Sequence, residues 1–140
     1  MEIIANAVQT VAANQNVYFS DAVTSGNYAI EHRDGSGLVT LRGVTNTQCR
    51  ARFRVHFGAN IAIAEGGTVE PISLAISLDG EALPATTMTV TPAAVGNYFN
   101  VSASVFIDIP QGCCSHIAVK NISEQAIDVQ NANLIAVRAA

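Results

Sequence analysis

The stretch Cys49-Arg50-Ala51-Arg52-Phe53-Arg54-Val55-His56-Phe57 alternates without a break between small or apolar and basic side chains. A β-strand points successive side chains to opposite faces. Cys49, Ala51, Phe53, Val55 and Phe57 are therefore predicted to face a core, and Arg50, Arg52, Arg54 and His56 to face away from it. A helix would spread both classes around its circumference and bury arginine. The segment reads as a half-buried strand, and its period of two sets the expectation for the rest of the chain.

The same period recurs outward in both directions. Ile72-Ser73-Leu74-Ala75-Ile76-Ser77-Leu78 alternates and runs into Asp79-Gly80, a dipeptide tolerant of positive φ that suits a tight hairpin into Glu81-Ala82-Leu83. Residues 98–109 read as a second long strand. Phe99, Val101, Ala103, Val105, Ile107 and Ile109 lie on one face, Asn100, Ser102, Ser104 and Asp108 on the other, and Pro110-Gln111-Gly112 stops it.

Shorter strands are expected at 17–23, 28–32, 38–42, 88–91, 117–121 and 127–137. Turn signals such as Ser25-Gly26-Asn27, Asp34-Gly35-Ser36-Gly37 and Glu65-Gly66-Gly67 separate them. The alanine-rich stretches 5–13 and 132–140 are read as extended too, because interleaved Asn, Val, Ile and Thr lower helix propensity. About ten strands with no 3.6-residue periodicity predict an all-β fold, a two-sheet antiparallel jelly-roll sandwich, as a single domain over 1–140.

A chain of 140 residues is large enough to bury a core without metal or disulfide staples. Hydrophobic residues make up 49% and charged residues 13%, which excludes disorder and leaves little polar surface to cover a lone monomer. Part of the apolar inventory is expected between subunits. The net charge is −4 and Lys120 is the sole lysine, so the clustered cations that a nucleic-acid backbone requires are missing. Met1-Glu2-Ile3-Ile4-Ala5-Asn6 lacks a basic segment followed by an apolar one, and no apolar run approaches the roughly 20 residues needed to span a bilayer. Neither a signal peptide nor a membrane partner is expected. Three cysteines, Cys49, Cys113 and Cys114, cannot all pair within one chain, which favours synthesis in a reducing compartment.

Signals for chemistry are sparse. His32, His56 and His116 stand at no metal-ligand spacing with one another or with cysteine, so no metal and no cofactor are expected. Folding could still gather His56 or His116 with Cys49 and Asp108, but no nucleophile motif such as G-x-S-x-G accompanies them, and an enzyme is not expected. The glycine-rich stretches 34–37 and 66–67 lack the lysine of a phosphate loop and read as turns. Adjacent Cα atoms in Cys113-Cys114 stand about 3.8 Å apart, below the roughly 4.4–6.8 Å of ordinary disulfides. Free thiols are expected there, one packed inward and one outward at a strand start.

Arg50, Arg52 and Arg54 are the least ordinary feature. Alternate residues on a strand face stand about 7 Å apart, so the guanidiniums repel. The row is either a solvated face or an interface between subunits or toward a ligand. An interface requires acidic or carbonyl partners, for which Glu31, Asp108 and Asp128 are candidates. Arg50, Arg52, Arg54 and His56 together form the candidate subunit interface.

Several segments resemble those of C1q/TNF-like jelly rolls. Val17-Tyr18-Phe19, Gly37-Leu38-Val39-Thr40-Leu41 and Arg52-Phe53-Arg54-Val55-His56-Phe57 resemble the early strands, and the segment 72–78 with Asp79-Gly80-Glu81 resembles the central hairpin. The segment 105–109 with Pro110-Gln111-Gly112 resembles the penultimate strand and its glycine turn, and Asn133-Leu134-Ile135-Ala136-Val137-Arg138 the closing strand. The resemblance implies a compact homotrimer. Low aromatic content and the lack of a collagen-like Gly-X-Y stalk point away from animal signalling ligands.

The sequence also resembles small stand-alone proteins of bacteriophages and prophages of Gram-positive gut bacteria, among capsid decoration or head-fibre components. That resemblance implies a virion location, assembly in the host cytoplasm and contact with a capsid protein or a cell surface. A carbohydrate-binding or adhesion module is the alternative, weakened by the absence of Trp and by only Tyr18, Tyr28 and Tyr98 as tyrosines. A spore-surface C1q-like domain is a further one, and would require a collagen-like segment that this chain lacks.

Overall fold

A computed structural model of residues 1–140 shows two antiparallel six-stranded sheets packed face to face. One sheet is ordered β10-β6-β12-β1-β3, with β2 also on β12. Its members are β1 (Glu2–Ala5), β2 (Gln9–Val11), β3 (Asp21–Thr24), β6 (Arg50–Ile63), β10 (Phe99–Pro110) and β12 (Ile127–Arg138). The other is ordered β4-β5-β11-β7-β8, with β9 also on β7. It comprises β4 (Ile30–His32), β5 (Val39–Arg42), β7 (Ile72–Leu78), β8 (Glu81–Ala82), β9 (Met88–Val90) and β11 (Cys114–Asn121). The chain crosses between sheets repeatedly, as a jelly roll does. No helix is long and apolar enough to cross a membrane.

The core is a 29-residue cluster between the sheets. Ile3, Phe53, Val55, Phe57, Ile61 and Leu134 enter it from one side, and Val39, Leu41, Ile72, Leu74, Ile76, Ile117 and Val119 from the other. Phe19, on the irregular segment before β3, sets its ring edge-on to Phe57 at 6.3 Å and to His32 at 6.2 Å. Phe19 thus meets one ring from each layer in the edge-on geometry that ring pairs favour.

Alternation predicts the middle of β6 correctly: Ala51, Phe53, Val55 and Phe57 are fully buried while Arg50 and Arg54 are exposed. Cys49 departs from the expectation. It precedes the strand and is exposed, because pairing with β10 begins only at Arg50 opposite Pro110. Phe99, expected inward, is 43% exposed at the start of edge strand β10, where the sandwich no longer covers it. Cys113 and Cys114 are both exposed rather than split between faces, since they leave the Pro110-Gln111-Gly112 turn before β11 enters the core at Ile117. The expected strand at 17–23 begins later, at Asp21. Val17 and Phe19 are buried there as parts of a loop. The Asp79-Gly80 hairpin forms as read, with φ of 50° and 90°.

Candidate subunit interface

The backbone ladder fixes the outer face of the β10-β6-β12-β1-β3 sheet. Across β10 and β6, Asp108 lies opposite Arg52, Phe106 opposite Arg54, Ser104 opposite His56 and Ser102 opposite Gly58. On the far side of β6, Val137 is opposite Arg54, Ile135 opposite His56 and Asn133 opposite Gly58. One strand further, Glu2 is opposite Ile135 and Ile4 opposite Asn133; on β3, Thr24 and Asp21 face Glu2 and Ile4. Arg50, Arg52, Arg54 and His56 thus share one face of one strand, as their spacing requires.

Asp108 compensates two of the three arginines of the row within the chain. Arg52 donates to both of its oxygens, Nε to Oδ1 at 2.8 Å and an Nη to Oδ2 at 3.0 Å, and Arg50 Nε stands 3.1 Å from Oδ2. The guanidinium of Arg52 holds the Asp108 carboxyl below the usual carboxylate range, with Arg50 adding to the effect. The carboxylate in turn raises Arg52. The other two proposed acids do different work. Glu31 lies on the opposite sheet and pairs with Arg42 at 2.6 Å, while Asp128 accepts a bond from Thr10 at 2.7 Å.

Arg54 makes no ion pair, and its cross-strand neighbours are Phe106, 63% exposed, and Val137, 41% exposed. With His56 and Ile135, Arg54 and Val137 bound a shallow depression of about 280 Å³. His56 Nδ1 stands 3.0 Å from the Ser104 hydroxyl. Reading alternation strand by strand missed the apolar members of this face. The signal was present in the sequence: Phe106 interrupts the polar row Asn100, Ser102, Ser104, Asp108.

A second cluster that the sequence reading missed lies on the outer face of the other sheet. Arg42 donates to Glu31 at 2.6 Å and to the Tyr28 carbonyl at 2.8 Å, and its guanidinium sits 4.7 Å from the centroid of the Tyr28 ring, itself 73% exposed. Glu31, Thr40 and His116 align across β4, β5 and β11, with His116 Nδ1 3.0 Å from Thr40 Oγ1. The backbone N–H of His116 donates to Asp79 at 2.8 Å and holds that carboxyl below the usual range. His56, on β6, and His116, on β11, therefore lie on opposite sheets.

No protein-family model matches the sequence, and no curated protein matches it. Solved structures do. The globular domain of zebrafish complement 1qA protein aligns with a TM-score of 0.63 at 12% identity, over 96% of this chain and 93% of that one. Murine APRIL aligns with a TM-score of 0.58 at 12% identity, over 95% and 96%. At such identities the likeness concerns the fold, which is a C1q/TNF-like jelly roll.

Proposed function

We propose that this chain is a non-enzymatic assembly protein that forms a homotrimer through the outer face of the β10-β6-β12-β1-β3 sheet, and that the trimer is a phage capsid decoration or head-fibre component. One observation carries the assembly. Phe106 and Val137 project from that face beside the partly buried Ile135 and Ile4, on a protein with too few charged residues to spare such a patch for water. The trimer implied by the C1q/TNF resemblance agrees with it. The virion setting is supported by the resemblance to small phage and prophage proteins, and three free thiols suit assembly in a reducing cytoplasm.

Light scattering on the eluting protein tests the assembly. A mass three times the 14.6 kDa of the chain is expected at micromolar concentration, and a monomer at every concentration overturns it. The virion role is tested by the genes beside its own. Capsid and portal genes are expected there, and a neighbourhood without them removes the role while leaving the trimer untouched.

A second reading, contact with a cell-surface glycan, is favoured by the Tyr28–Arg42–Glu31 cluster on the face that a trimer leaves free. An exposed ring beside an ion pair offers a stacking surface and charged hydrogen-bonding groups together, the combination that polar ligands require. Tyr28→Ala is expected to abolish retention on immobilised host cell-wall glycan. Retention equal to the parent's, or none by the parent, removes this reading.

A further inference from the structure

Charges on the proposed assembly face are segregated by strand. β6 carries Arg50, Arg52, Arg54 and His56, and on the adjacent β10 the single carboxylate of Asp108 is shared by Arg50 and Arg52. Glu2 on β1, two strands from β6, and Asp21 on β3, three strands from it, form an acidic flank. Glu2 accepts a bond from the Asn133 amide at 2.6 Å and Asp21 one from the Ser20 hydroxyl at 3.1 Å, but neither meets a cation. Neighbouring strands lie about 4.8 Å apart, so the backbones of Arg54 and Glu2 stand roughly 10 Å or more apart across the sheet, and the two form no ion pair within one chain. Between the unmatched cation and the unmatched acids lie Ile135 and Val137, the apolar part of the same face.

We propose that Arg54 of one copy pairs with the Glu2 and Asp21 carboxylates of the next, so that the cationic half of each face meets the acidic half of its neighbour. This rests on the homotrimer proposed above and assigns its contact. A twofold contact that set β6 against β6 would bring two arginine rows together. A rotational ring places unlike halves against each other, and contacts of that kind close when the rotation suits. Burial of Phe106 and Val137 would also desolvate Arg54 between them, and a desolvated guanidinium requires a carboxylate. The polarity of the face therefore sets both the partner and the handedness of approach, which is what complementary interfacial charges do best.

Charge reversal in the full chain tests this by sedimentation and light scattering. Arg54→Glu is expected to raise the concentration at which the trimer dissociates by at least about tenfold, a loss in the range of an interfacial charge pair. Arg54 makes no ion pair in its own chain, so the far-UV spectrum of this variant should match the parent's. Adding Glu2→Lys and Asp21→Lys to Arg54→Glu is expected to restore assembly. Arg54→Glu with Asp21→Lys alone is the second reversal, since it keeps the Glu2–Asn133 bond. Recovery in either supports the pairing. Failure of both, or an Arg54→Glu variant that assembles like the parent, overturns the pairing while the parent's trimer stands. A parent that is monomeric throughout overturns the trimer and the pairing with it.

Discussion

Asp108 serves two guanidiniums at once, and its charge is part of the folded state's stability. Because Arg52 and Arg50 lower its pKa on folding, the stabilisation is complete above the ordinary carboxylate value and is lost as pH falls through the depressed folded one. Asp79, lowered by the His116 N–H, has the same sign. The thermal midpoint is therefore expected to hold steady above about pH 5 and to drop through the acid limb below it. Asp108→Asn should flatten that drop, and calorimetry across pH decides it: an acid limb as steep as the parent's shows that Asp108 does not contribute.

Asn121 is a second residue whose role is fully accounted for. Fully buried, it donates to the carbonyls of Val11 at 3.0 Å and Gln125 at 2.9 Å, and accepts from the N–H of Ser123 at 2.9 Å. Asn121→Ala strands all three groups. A loss of roughly 1–3 kcal/mol in urea unfolding is expected, at the upper end if no water enters. Unchanged stability would mean that the loop at 122–126 finds other partners.

Between the elements, two glycines separate steric demand from conformational demand. Gly80 takes φ of 90° in the β7–β8 hairpin with open space where a Cβ would sit, so Gly80→Ala meets backbone strain alone, about 1–2 kcal/mol. At Gly43, just after β5, a Cβ would stand 2.0 Å from the Pro110 carbonyl oxygen. Gly43 also donates to the Cys113 carbonyl at 2.8 Å and accepts from the Gly112 N–H at 3.0 Å, which holds the exit of β5 against the β10–β11 turn. A side chain there must push the two segments apart and break both bonds. Gly43→Ala is expected to lower the thermal midpoint more than Gly80→Ala does, and the opposite order in matched melts would show that this turn yields easily.

At the scale of the whole molecule, the two outer faces differ in character. One is polarised and partly apolar, suited to a copy of itself. The other gathers Tyr28, Arg42, Glu31, Thr40 and His116. Phe106 tests that division because its ring is already exposed in the single chain. Phe106→Ser is expected to weaken trimer formation by at least tenfold, as losing a buried aromatic of about 2 kcal/mol implies. The isolated monomer should melt within a degree or two of the parent's. A variant that assembles normally would move the contact away from this face.

The amino-acid sequence alone determined the architecture, because period-two alternation is a local property written into each strand. The segment from Ala51 to Phe57, the hairpin at Asp79-Gly80 and the break at Pro110 were all legible without coordinates. The row Arg50, Arg52, Arg54, His56 was legible for the same reason. Only the tertiary structure decided which strands became neighbours. Pairing of β6 with β10 is set by a register spanning more than forty residues of chain, and it alone chose Asp108 over Glu31 and Asp128, placed Phe106 beside Arg54, and left Arg54 facing no acid of its own. Strand ends escaped the sequence for a related physical reason. Whether Cys49, Phe99 or Cys113 is covered depends on how far the opposite sheet extends over it, which alternation does not encode.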